Sequence, residues 1–320
     1  MTKKVVLLNV NYPNYHVEQR ILSPFDAEIS HASTGDDLAA SIAAARDAFA
    51  VMVRETHLPE EFINSLENCT VIVRYGVGVD NIDLEAARKR RIYVANVSDY
   101  GSDTVADHAI ALMYAVARRI VRRDSDVRAG IWGVGAEEPL FSFTGKTLGV
   151  AGCGKIGRAL IKKCSSLGFA RVLGYDPYSA YSDGVEMTDL HTLLKNADVV
   201  SLHMPLNSET RHIINKNTLS WMKPNAILVN TSRGDLINQK DLVEALIGRV
   251  LFGVGMDVFE VEPPQVDRDA LFSLTCVTVS DHTGWYSVES LENLQRLAAM
   301  EVARVFNGQE PESWVNPWDM

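Results

Sequence analysis

Three glycines between an apolar run and a helix-like segment constrain the fold more than any other part of the chain. The apolar run is Thr147–Ala151, and Gly152, Gly154 and Gly157 follow it at spacings of two and three residues. Residues 156–167 then repeat apolar side chains as an amphipathic helix does. A strand, a glycine-rich turn and a helix in this order predict a βα unit of a parallel sheet.

Each glycine of this turn has its own physical task. Gly152 permits a tight turn, Gly154 lets the backbone approach a ligand closely, and Gly157 lets the helix pack against the strand. Lys155 and Ile156 open the helix, whose N-terminal amides favour phosphate groups. The turn therefore predicts a dinucleotide site, the alternative being an ordinary glycine turn without a ligand.

A carboxylate further along the chain indicates which dinucleotide is bound. Asp176, followed by Pro177, ends the next apolar run, nineteen residues after Gly157. A carboxylate there can accept hydrogen bonds from both ribose hydroxyls and would repel a 2′-phosphate. We therefore expect NAD rather than NADP.

Short apolar runs alternate with helix-like segments in two series. The runs are apolar throughout, as in strands covered on both faces. They lie at residues 5–10, 27–31, 49–53, 71–73 and 92–97 in the first series, and at 147–151, 172–175, 199–202, 227–229, 252–256 and 277–279 in the second. The pattern predicts an α/β protein with two Rossmann- or flavodoxin-like domains, the second with six parallel strands.

Helix-like segments fill the spaces between these runs. In the first series they cover residues 36–45, 59–66 and 84–91, with Asp36 and Asp83 as predicted N-caps and Pro59 in a first turn. A single long helix is predicted over residues 102–123, before a polar segment without clear period at 124–145. The last helix is predicted at Val288–Phe306.

Composition narrows the class of protein. The 320 residues carry 31 basic and 41 acidic side chains, a net charge of −10 that disfavours general binding to nucleic acid or anionic membranes. Two basic runs, 88–91 and 118–123, lie at predicted helix ends, where their charges offset the helix dipole. Nucleic-acid binding by these runs is the less favoured alternative.

No apolar stretch approaches the ~18 residues of a membrane span. The four cysteines lack CxxC spacing, so we predict no metal site and a reducing, cytoplasmic location.

Three later segments each end a predicted strand of the second series. They span residues 229–234, 255–263 and 280–286, and they carry an arginine, several carboxylates and a histidine. Open α/β sheets bind ligands at the carboxyl ends of their strands. Each residue alone has an ordinary structural interpretation, but together they predict a reactive site.

These segments and the glycine turn resemble the D-isomer-specific 2-hydroxyacid dehydrogenase family over nearly the whole chain. Further similarity lies at residues 74–83, 105–107 and 201–206. Asp107 and the run 282–287 are most similar to the branch that contains the C-terminal-binding-protein corepressors.

The resemblance implies a role for three residues. His282 would protonate the carbonyl oxygen of a 2-keto acid during reduction and take the proton back in reverse. Glu262, rather than Glu260, would pair with that histidine and favour its protonated form. Arg233 would hold the substrate carboxylate through its planar fork.

The resemblance also implies contacts to the substrate and the cofactor. The backbone of Val77 and Gly78 would bind the substrate carboxylate, with Arg74 and Trp285 nearby. The alternative for Arg74 is a structural ion pair, and the alternative for Trp285 is a tryptophan of the core or of an interface. The remaining implied cofactor contacts are Thr104, His203, Pro205, Thr210, Thr231, Ser232, Asp257, His282 and Gly284. Among them, Asp257 would lie near the nicotinamide carboxamide.

Family architecture implies a substrate domain at residues 1–100 and 291–320, interrupted by an NAD-binding domain at 101–290. A cleft between them would hold the substrate. The helix at 102–123 and the Ile131-Trp132 pair resemble a dimerisation arm, so we expect a homodimer.

The expected substrate is a small 2-hydroxy or 2-keto acid. Glyoxylate or hydroxypyruvate, 3-phosphoglycerate, and bulkier 2-keto acids remain open, although the chain length disfavours the long, serine-regulated phosphoglycerate dehydrogenases. The alternatives are an NAD-sensing, corepressor-like binding protein with little turnover, and an enzyme acting on formate or phosphite.

Overall fold

The computed structural model describes residues 3–133, 139–180 and 183–318. The chain divides into two compact units, Met1–Gly101 with Ser287–Met320, and Ser102–Tyr286. Each unit contains one parallel sheet with helices, so the predicted α/β class with two parallel sheets is confirmed.

The strands are short and the helices between them are mostly shorter than three turns. In chain order, the strands are β1 (Lys3–Leu8), β2 (Ala27–Ala32), β3 (Ala50–Val53), β4 (Val71–Arg74), β5 (Tyr93–Ala95), β6 (Thr147–Ala151), β7 (Arg171–Tyr175), β8 (Glu186–Met187), β9 (Val199–Leu202), β10 (Ile227–Asn230), β11 (Gly253–Met256) and β12 (Val277–Val279). The helices are α1 (His16–Leu22), α2 (Leu38–Ala45), α3 (Glu60–Ser65), α4 (Leu84–Lys89), α5 (Ser102–Ala117), α6 (Ile120–Arg128), α7 (Lys155–Cys164), α8 (Leu190–Asn196), α9 (Lys216–Leu219), α10 (Gln239–Ile247) and α11 (Val288–Phe306).

The sheet of the first unit has the order β2-β1-β3-β4-β5. Its central strands are buried along their length, as their uninterrupted apolar runs predict. The predicted cap Asp83 accepts the backbone N–H of Ala86, but α2 is capped by Asp37 rather than by the predicted Asp36. Asp37 is the correct cap because its carboxylate reaches the N–H of Ala40, three residues ahead.

The sheet of the second unit has the order β12-β11-β10-β9-β6-β7-β8, so the described residues form seven strands rather than the six predicted. The additional strand, β8, pairs only Glu186 and Met187 with β7. A segment this short carries no detectable periodicity. Arg171 of β7 stabilises it through an ion pair with Glu186, at 2.8 and 2.6 Å.

The single helix predicted over residues 102–123 is two helices, α5 and α6. Arg119 separates them in the left-handed region, with φ 51°. Its guanidinium carbon lies 4.5 Å from the ring centre of Phe252, a cation–π contact that offsets the cost of this backbone conformation. Helix α6 continues into the segment for which the sequence showed no period, of which residues 134–138 lie outside the described part.

The sequence pattern missed α1 and α9, which are short, with seven and four residues. Among the described residues, no helix combines the length and the apolar character needed to cross a membrane.

Candidate active site

Neighbouring parallel strands of the second unit bring the reactive segments to one edge of the sheet. Strands β9, β10, β11 and β12 lie side by side, and each predicted segment follows one of the last three. Because the strands are parallel, the loops at their carboxyl ends lie along the same edge.

His282 and Glu262 meet at this edge. Nδ1 of His282 lies 2.6 Å from Oε2 of Glu262, and each side chain remains about one third exposed. The other carboxylate oxygen accepts the backbone N–H of Phe259 at 2.9 Å. By contrast, Glu260 lies 3.1 Å from His212 and not against His282.

The charge of Glu262 is stabilised by its surroundings. Partial burial alone would raise its pKa. The hydrogen bonds from His282 and Phe259, together with the positive charge of Arg233, outweigh burial and hold the pKa of Glu262 below its ordinary value. Glu262 is therefore a carboxylate at neutral pH, and Arg233 belongs to the same electrostatic environment.

The loop after β10 holds Arg233 against the loop that carries Glu262. The side chain of Asn230 bonds both the carbonyl of Arg233, at 2.8 Å, and the N–H of Ser232, at 3.0 Å. A Cβ on Gly234 would lie 1.9 Å from the carbonyl carbon of Phe259, so only glycine permits this approach. The arginine and the acidic loop are thus fixed relative to each other by backbone packing.

Asp257 organises the backbone around His282. It is almost fully buried, and its carboxylate accepts the hydroxyl of Ser280 at 2.6 Å and the N–H groups of Thr283 and Gly284 at 3.0 and 2.8 Å. Its own carbonyl accepts the N–H of His282 at 2.8 Å, and His282 has φ 56°. Burial would raise the pKa of Asp257, but hydrogen bonds led by that of His108 outweigh it and lower the pKa.

His108 is a site residue that the sequence analysis missed. Its Nε2 lies 2.7 Å from the hydroxyl of Ser280 and 3.4 Å from Asp257. The available signal was its position on α5, four residues after Thr104, which places both on one face of the helix.

The glycine turn has the tight geometry that its spacing predicts. Gly152 has φ 97°, and a Cβ there would lie 2.5 Å from the carbonyl carbon of His203. A Cβ on Gly157 would lie 2.1 Å from the carbonyl oxygen of Gly152, whereas the space beside Gly154 is open. Gly154 is also the N-cap of α7, and no side chain there bonds the helix amides.

Asp176 lies beside this turn, at the end of β7. Its two oxygens accept the N–H of Cys153 and the N–H of Tyr178, each at 2.9 Å. A carboxylate has about four acceptor positions, so two remain for ligand hydroxyls. Pro177, the next residue, is exposed.

The remaining predicted site residues of the second unit lie in loops and in the first turn of α5. The hydroxyl of Thr210 donates to the carbonyl of Pro205 at 2.7 Å, and that of Ser232 donates to Leu202 at 2.8 Å. Thr104 is half-buried in the first turn of α5. Trp285 is half-buried too, with its ring centre 5.5 Å from that of Tyr286.

The other predicted substrate residues lie in the first unit, after β4. Gly76 has φ 134°, and the guanidinium of Arg74 lies directly over it, where a Cβ would stand 1.6 Å from an arginine nitrogen. Val77 is 47% exposed and Gly78 half-buried. The side chain of Asn96 donates to the carbonyl of Val77 at 2.6 Å, which holds this loop in place.

Comparison with known proteins agrees with this arrangement. Residues 110–284 match the family described as D-isomer specific 2-hydroxyacid dehydrogenase, NAD binding domain. The chain is also 40% identical over 280 residues to a glyoxylate reductase of Thermococcus litoralis, covering 84% of this chain and 83% of that protein. The chain belongs to the D-isomer-specific 2-hydroxyacid dehydrogenase family.

Two further similarities support the assignment. A D-3-phosphoglycerate dehydrogenase of Methanocaldococcus jannaschii is 37% identical over 297 residues, covering 91% of this chain and 55% of that protein. The structure of a D-lactate dehydrogenase from Aquifex aeolicus, complexed with NAD and lactic acid, superposes with a TM-score of 0.84 at 27% identity, covering 95% and 96% of the two chains. This dehydrogenase is thus an NAD-dependent oxidoreductase, and the alternative of a corepressor-like binding protein has no support.

The residues of the dehydrogenase fit NAD. Thr231 Oγ1 and His203 Nδ1 are buried and lack hydrogen-bond partners among the described residues, which identifies polar atoms that a ligand could satisfy. Burial lowers the pKa of His203 to about 4, so its ring is neutral at physiological pH. The open space beside Gly154 and the uncapped start of α7 provide room and amide donors for phosphates.

Proposed function

We propose that this dehydrogenase reduces glyoxylate and other short 2-keto acids with NADH, and oxidises the corresponding D-2-hydroxy acids with NAD. The observation that carries the proposal is the 2.6 Å pair of His282 and Glu262, beside the Arg233 loop. An imidazole held by a carboxylate, near a guanidinium, is suited to protonate the carbonyl oxygen of an anionic substrate when a hydride reduces its carbonyl carbon.

Arg233 is proposed to bind the substrate carboxylate. Its guanidinium offers a planar fork of donors that matches the two carboxylate oxygens. The backbone of Val77 and Gly78, in the first unit, is proposed to bind the same group, with Arg74 adding positive charge. Trp285, which follows the His282 loop, is proposed to restrict the space around the rest of the substrate.

His282 is proposed to move the proton. When bound, NADH supplies the hydride that the carbonyl carbon of the keto acid receives. His282 donates a proton from Nε2 to the carbonyl oxygen, which becomes the hydroxyl of the product; in the reverse direction Nε2 accepts that proton. Glu262 holds the ring through Nδ1 and favours the protonated imidazole that reduction requires.

A second set of residues is proposed to hold the cofactor. Lys155 and Ile156, with the glycine turn, face the phosphates from the start of α7, and Thr104 lies near them. Asp176 and Pro177 bind the adenosine ribose, and His203, Pro205 and Thr210 flank the adenosine. Thr231, Ser232, Asp257 and Gly284 surround the nicotinamide. In this scheme the second unit is the NAD-binding domain and the first is the substrate domain.

We also propose that the dehydrogenase is a cytoplasmic homodimer. Helix α6 and the segment after it expose apolar side chains, with Val121 and Ile131 each 58% exposed and Trp132 88% exposed. Adjoining them is a groove of about 430 Å³ that includes Val121 and Phe252. A second copy of the chain would cover this surface.

Trp132→Ala should raise the dimer dissociation constant by about tenfold or more in sedimentation equilibrium. A monomeric wild type contradicts the proposal.

The activity is tested by following NADH oxidation with glyoxylate, hydroxypyruvate and 3-phosphohydroxypyruvate. We expect turnover with glyoxylate, and a loss on the order of 10²–10⁴-fold in His282→Ala. NADH binding, measured by fluorescence titration, should weaken far less than turnover in that variant, because His282 is only one of many implied cofactor contacts. Activity on none of these acids, or near-normal turnover without His282, would overturn the proposal; a strong preference for the phosphorylated acid would redirect it to phosphoglycerate oxidation.

A further inference from the structure

A tyrosine of the first unit has a buried hydroxyl without a partner. Tyr12 is only 8% exposed, and its hydroxyl oxygen makes no hydrogen bond within the described part of the chain. An unpaired buried hydroxyl lowers stability, because it has lost water and gained nothing in exchange. Such an atom needs an explanation, and a ligand that completes the hydrogen bonding is one.

The ring of Tyr12 is held firmly although its hydroxyl is not. It packs edge-on against Tyr75, with ring centres 5.3 Å apart. The backbone N–H of Tyr12 donates to the hydroxyl of Tyr15 at 3.3 Å. Tyr75 is itself anchored by a 2.8 Å hydrogen bond to the buried Glu18, which also accepts Gln295. Neighbouring phenol groups are therefore satisfied, and that of Tyr12 is the exception.

The position of Tyr12 in the sheet agrees with a binding role. It lies in the segment after β1, and the sheet order β2-β1-β3-β4-β5 reverses direction between β1 and β3. Ligands of open α/β sheets bind outside the carboxyl ends of the strands at such a reversal. Two arginines lie at the same ends of the next strands in the sheet: Arg54 directly follows β3, and Arg74 is the last residue of β4.

The charge state of Tyr12 suits a hydrogen-bond donor. Burial raises the pKa of its phenol, and the positive charges of Arg54 and Arg74 oppose this effect only in part. The hydroxyl is therefore protonated at neutral pH. In this environment it can donate to an oxygen of an anionic substrate.

The second unit shows the same feature where a ligand is expected. Two such atoms of the second unit, Thr231 Oγ1 and His203 Nδ1, belong to residues proposed above to hold the cofactor, whereas others, such as Arg119 Nε and Gln239 Oε1, do not. In the first unit, Tyr12 is the only residue of this kind among those described.

We propose that Tyr12 is a substrate-contacting residue that donates a hydrogen bond to an oxygen on C3 of a 2-keto acid. The proposal rests on the proposed function, in which the loop after β4 binds the carboxylate. Because β3 lies between β1 and β4, Tyr12 and that loop follow strands that are not adjacent in the sheet. In this proposal the loop holds the carboxylate and Tyr12 meets the distal end of the substrate, where it selects a 3-oxygenated acid over its aliphatic analogue.

Tyr12→Phe tests this, because it removes the unpaired hydroxyl and keeps the ring. The three probes are hydroxypyruvate, which has a C3 hydroxyl; pyruvate, which has a C3 methyl; and glyoxylate, which has no C3. We expect kcat/KM for hydroxypyruvate to fall by about tenfold or more, since a site built for a hydroxyl loses its discrimination when the donor is removed. The values for pyruvate and glyoxylate should stay within about twofold, as neither offers the acceptor.

Tyr15→Phe is the control for the loss of a phenol hydroxyl that is already paired, because it donates to the carbonyl of Val10 and accepts the backbone N–H of Tyr12. It should lower the melting temperature and leave the hydroxypyruvate-to-pyruvate ratio unchanged, whereas Tyr12→Phe should keep or raise the melting temperature. An unchanged ratio in Tyr12→Phe, or an equal loss on all three acids, overturns the inference while leaving glyoxylate reduction intact. A wild type inactive on every acid instead refutes the proposed function.

Discussion

Nδ1 of His282 lies 2.6 Å from Oε2 of Glu262, and Oε1 of the same carboxylate accepts the N–H of Phe259 at 2.9 Å. Both oxygens of Glu262 are therefore engaged, one by the imidazole and one by the backbone. The carboxylate cannot rotate without losing one of these bonds. This arrangement fixes the orientation of the imidazole and directs Nε2 away from Glu262.

The first prediction concerns the pH dependence of 2-keto acid reduction in Glu262→Gln. The pKa of Glu262 is held below its ordinary value, so its negative charge lies against Nδ1 of His282 across the working range. Glutamine removes that charge, and its amide can donate to an unprotonated Nδ1. We expect kcat to fall by about tenfold and the alkaline limb of the profile to move to lower pH.

Glu260→Gln is the matched control for this measurement. Glu260 undergoes the same chemical change two residues away, but it contacts His212. Its profile should keep the wild-type alkaline limb. If the alkaline limb of Glu262→Gln coincides with that of the wild type at saturating NADH, the pairing of Glu262 with His282 does not control the protonation of the catalytic acid.

The second prediction separates substrate binding from cofactor binding through Arg233→Lys. Lysine keeps the charge but loses the planar fork, so the carboxylate is held in a less defined orientation. We expect kcat/KM for glyoxylate to fall on the order of 100-fold, with NADH affinity within about twofold of wild type. Arg211→Lys, an exposed arginine paired with Asp235, should change neither. Equal losses in both constants for Arg233→Lys would indicate a structural role.

The third prediction concerns the choice between NAD and NADP. Asp176→Ala removes the carboxylate that would accept the ribose hydroxyls and repel a 2′-phosphate. The ratio of kcat/KM for NADH to that for NADPH should fall by about tenfold or more. Because Asp176 also accepts the N–H of Cys153, part of the loss with NADH will come from the glycine turn. A wild type that uses both cofactors equally would show that Asp176 does not discriminate.

The fourth prediction concerns stability and its pH dependence in Asp257→Asn. Asparagine places an NH₂ group against backbone donors, and we expect the free energy of unfolding to fall by about 2 kcal/mol at pH 7. The pKa of Asp257 is lowered in the folded protein, so the stabilisation by its charge is complete above its unfolded pKa of about 4. It is lost as the pH falls through the lower, folded value.

The measurement is urea unfolding of wild type and Asp257→Asn at pH 7 and at progressively more acidic pH. The difference between the two proteins should be greatest at pH 7 and should shrink as the solution is acidified. A difference that grows with acidification would mean that the charged form of Asp257 is not the stabilising one.

Much of the architecture follows from the sequence alone. Runs of buried strand residues such as Thr147–Ala151 and Val199–Leu202 are bounded as the apolar pattern predicts, because strand burial is recorded in consecutive residues. The carboxyl-edge location of Arg233, Glu262 and His282 also follows, since parallel strands bring the loops after them to one side of the sheet.

Other features of the site depend on residues that are far apart in the chain, and only the tertiary structure determines them. Local periodicity could not predict the hydrogen bond between His108 and Ser280, 172 residues apart, or the approach of Gly234 to Phe259. Nor could it predict the helix break at Arg119, whose guanidinium lies over the ring of Phe252 from a remote part of the chain. The unpaired hydroxyl of Tyr12 is another such case, because a missing partner is defined only when all neighbours are in place. The pattern of apolar residues indicates how each segment is buried. These features depend instead on distances between residues of different segments, which are determined only when the segments pack together.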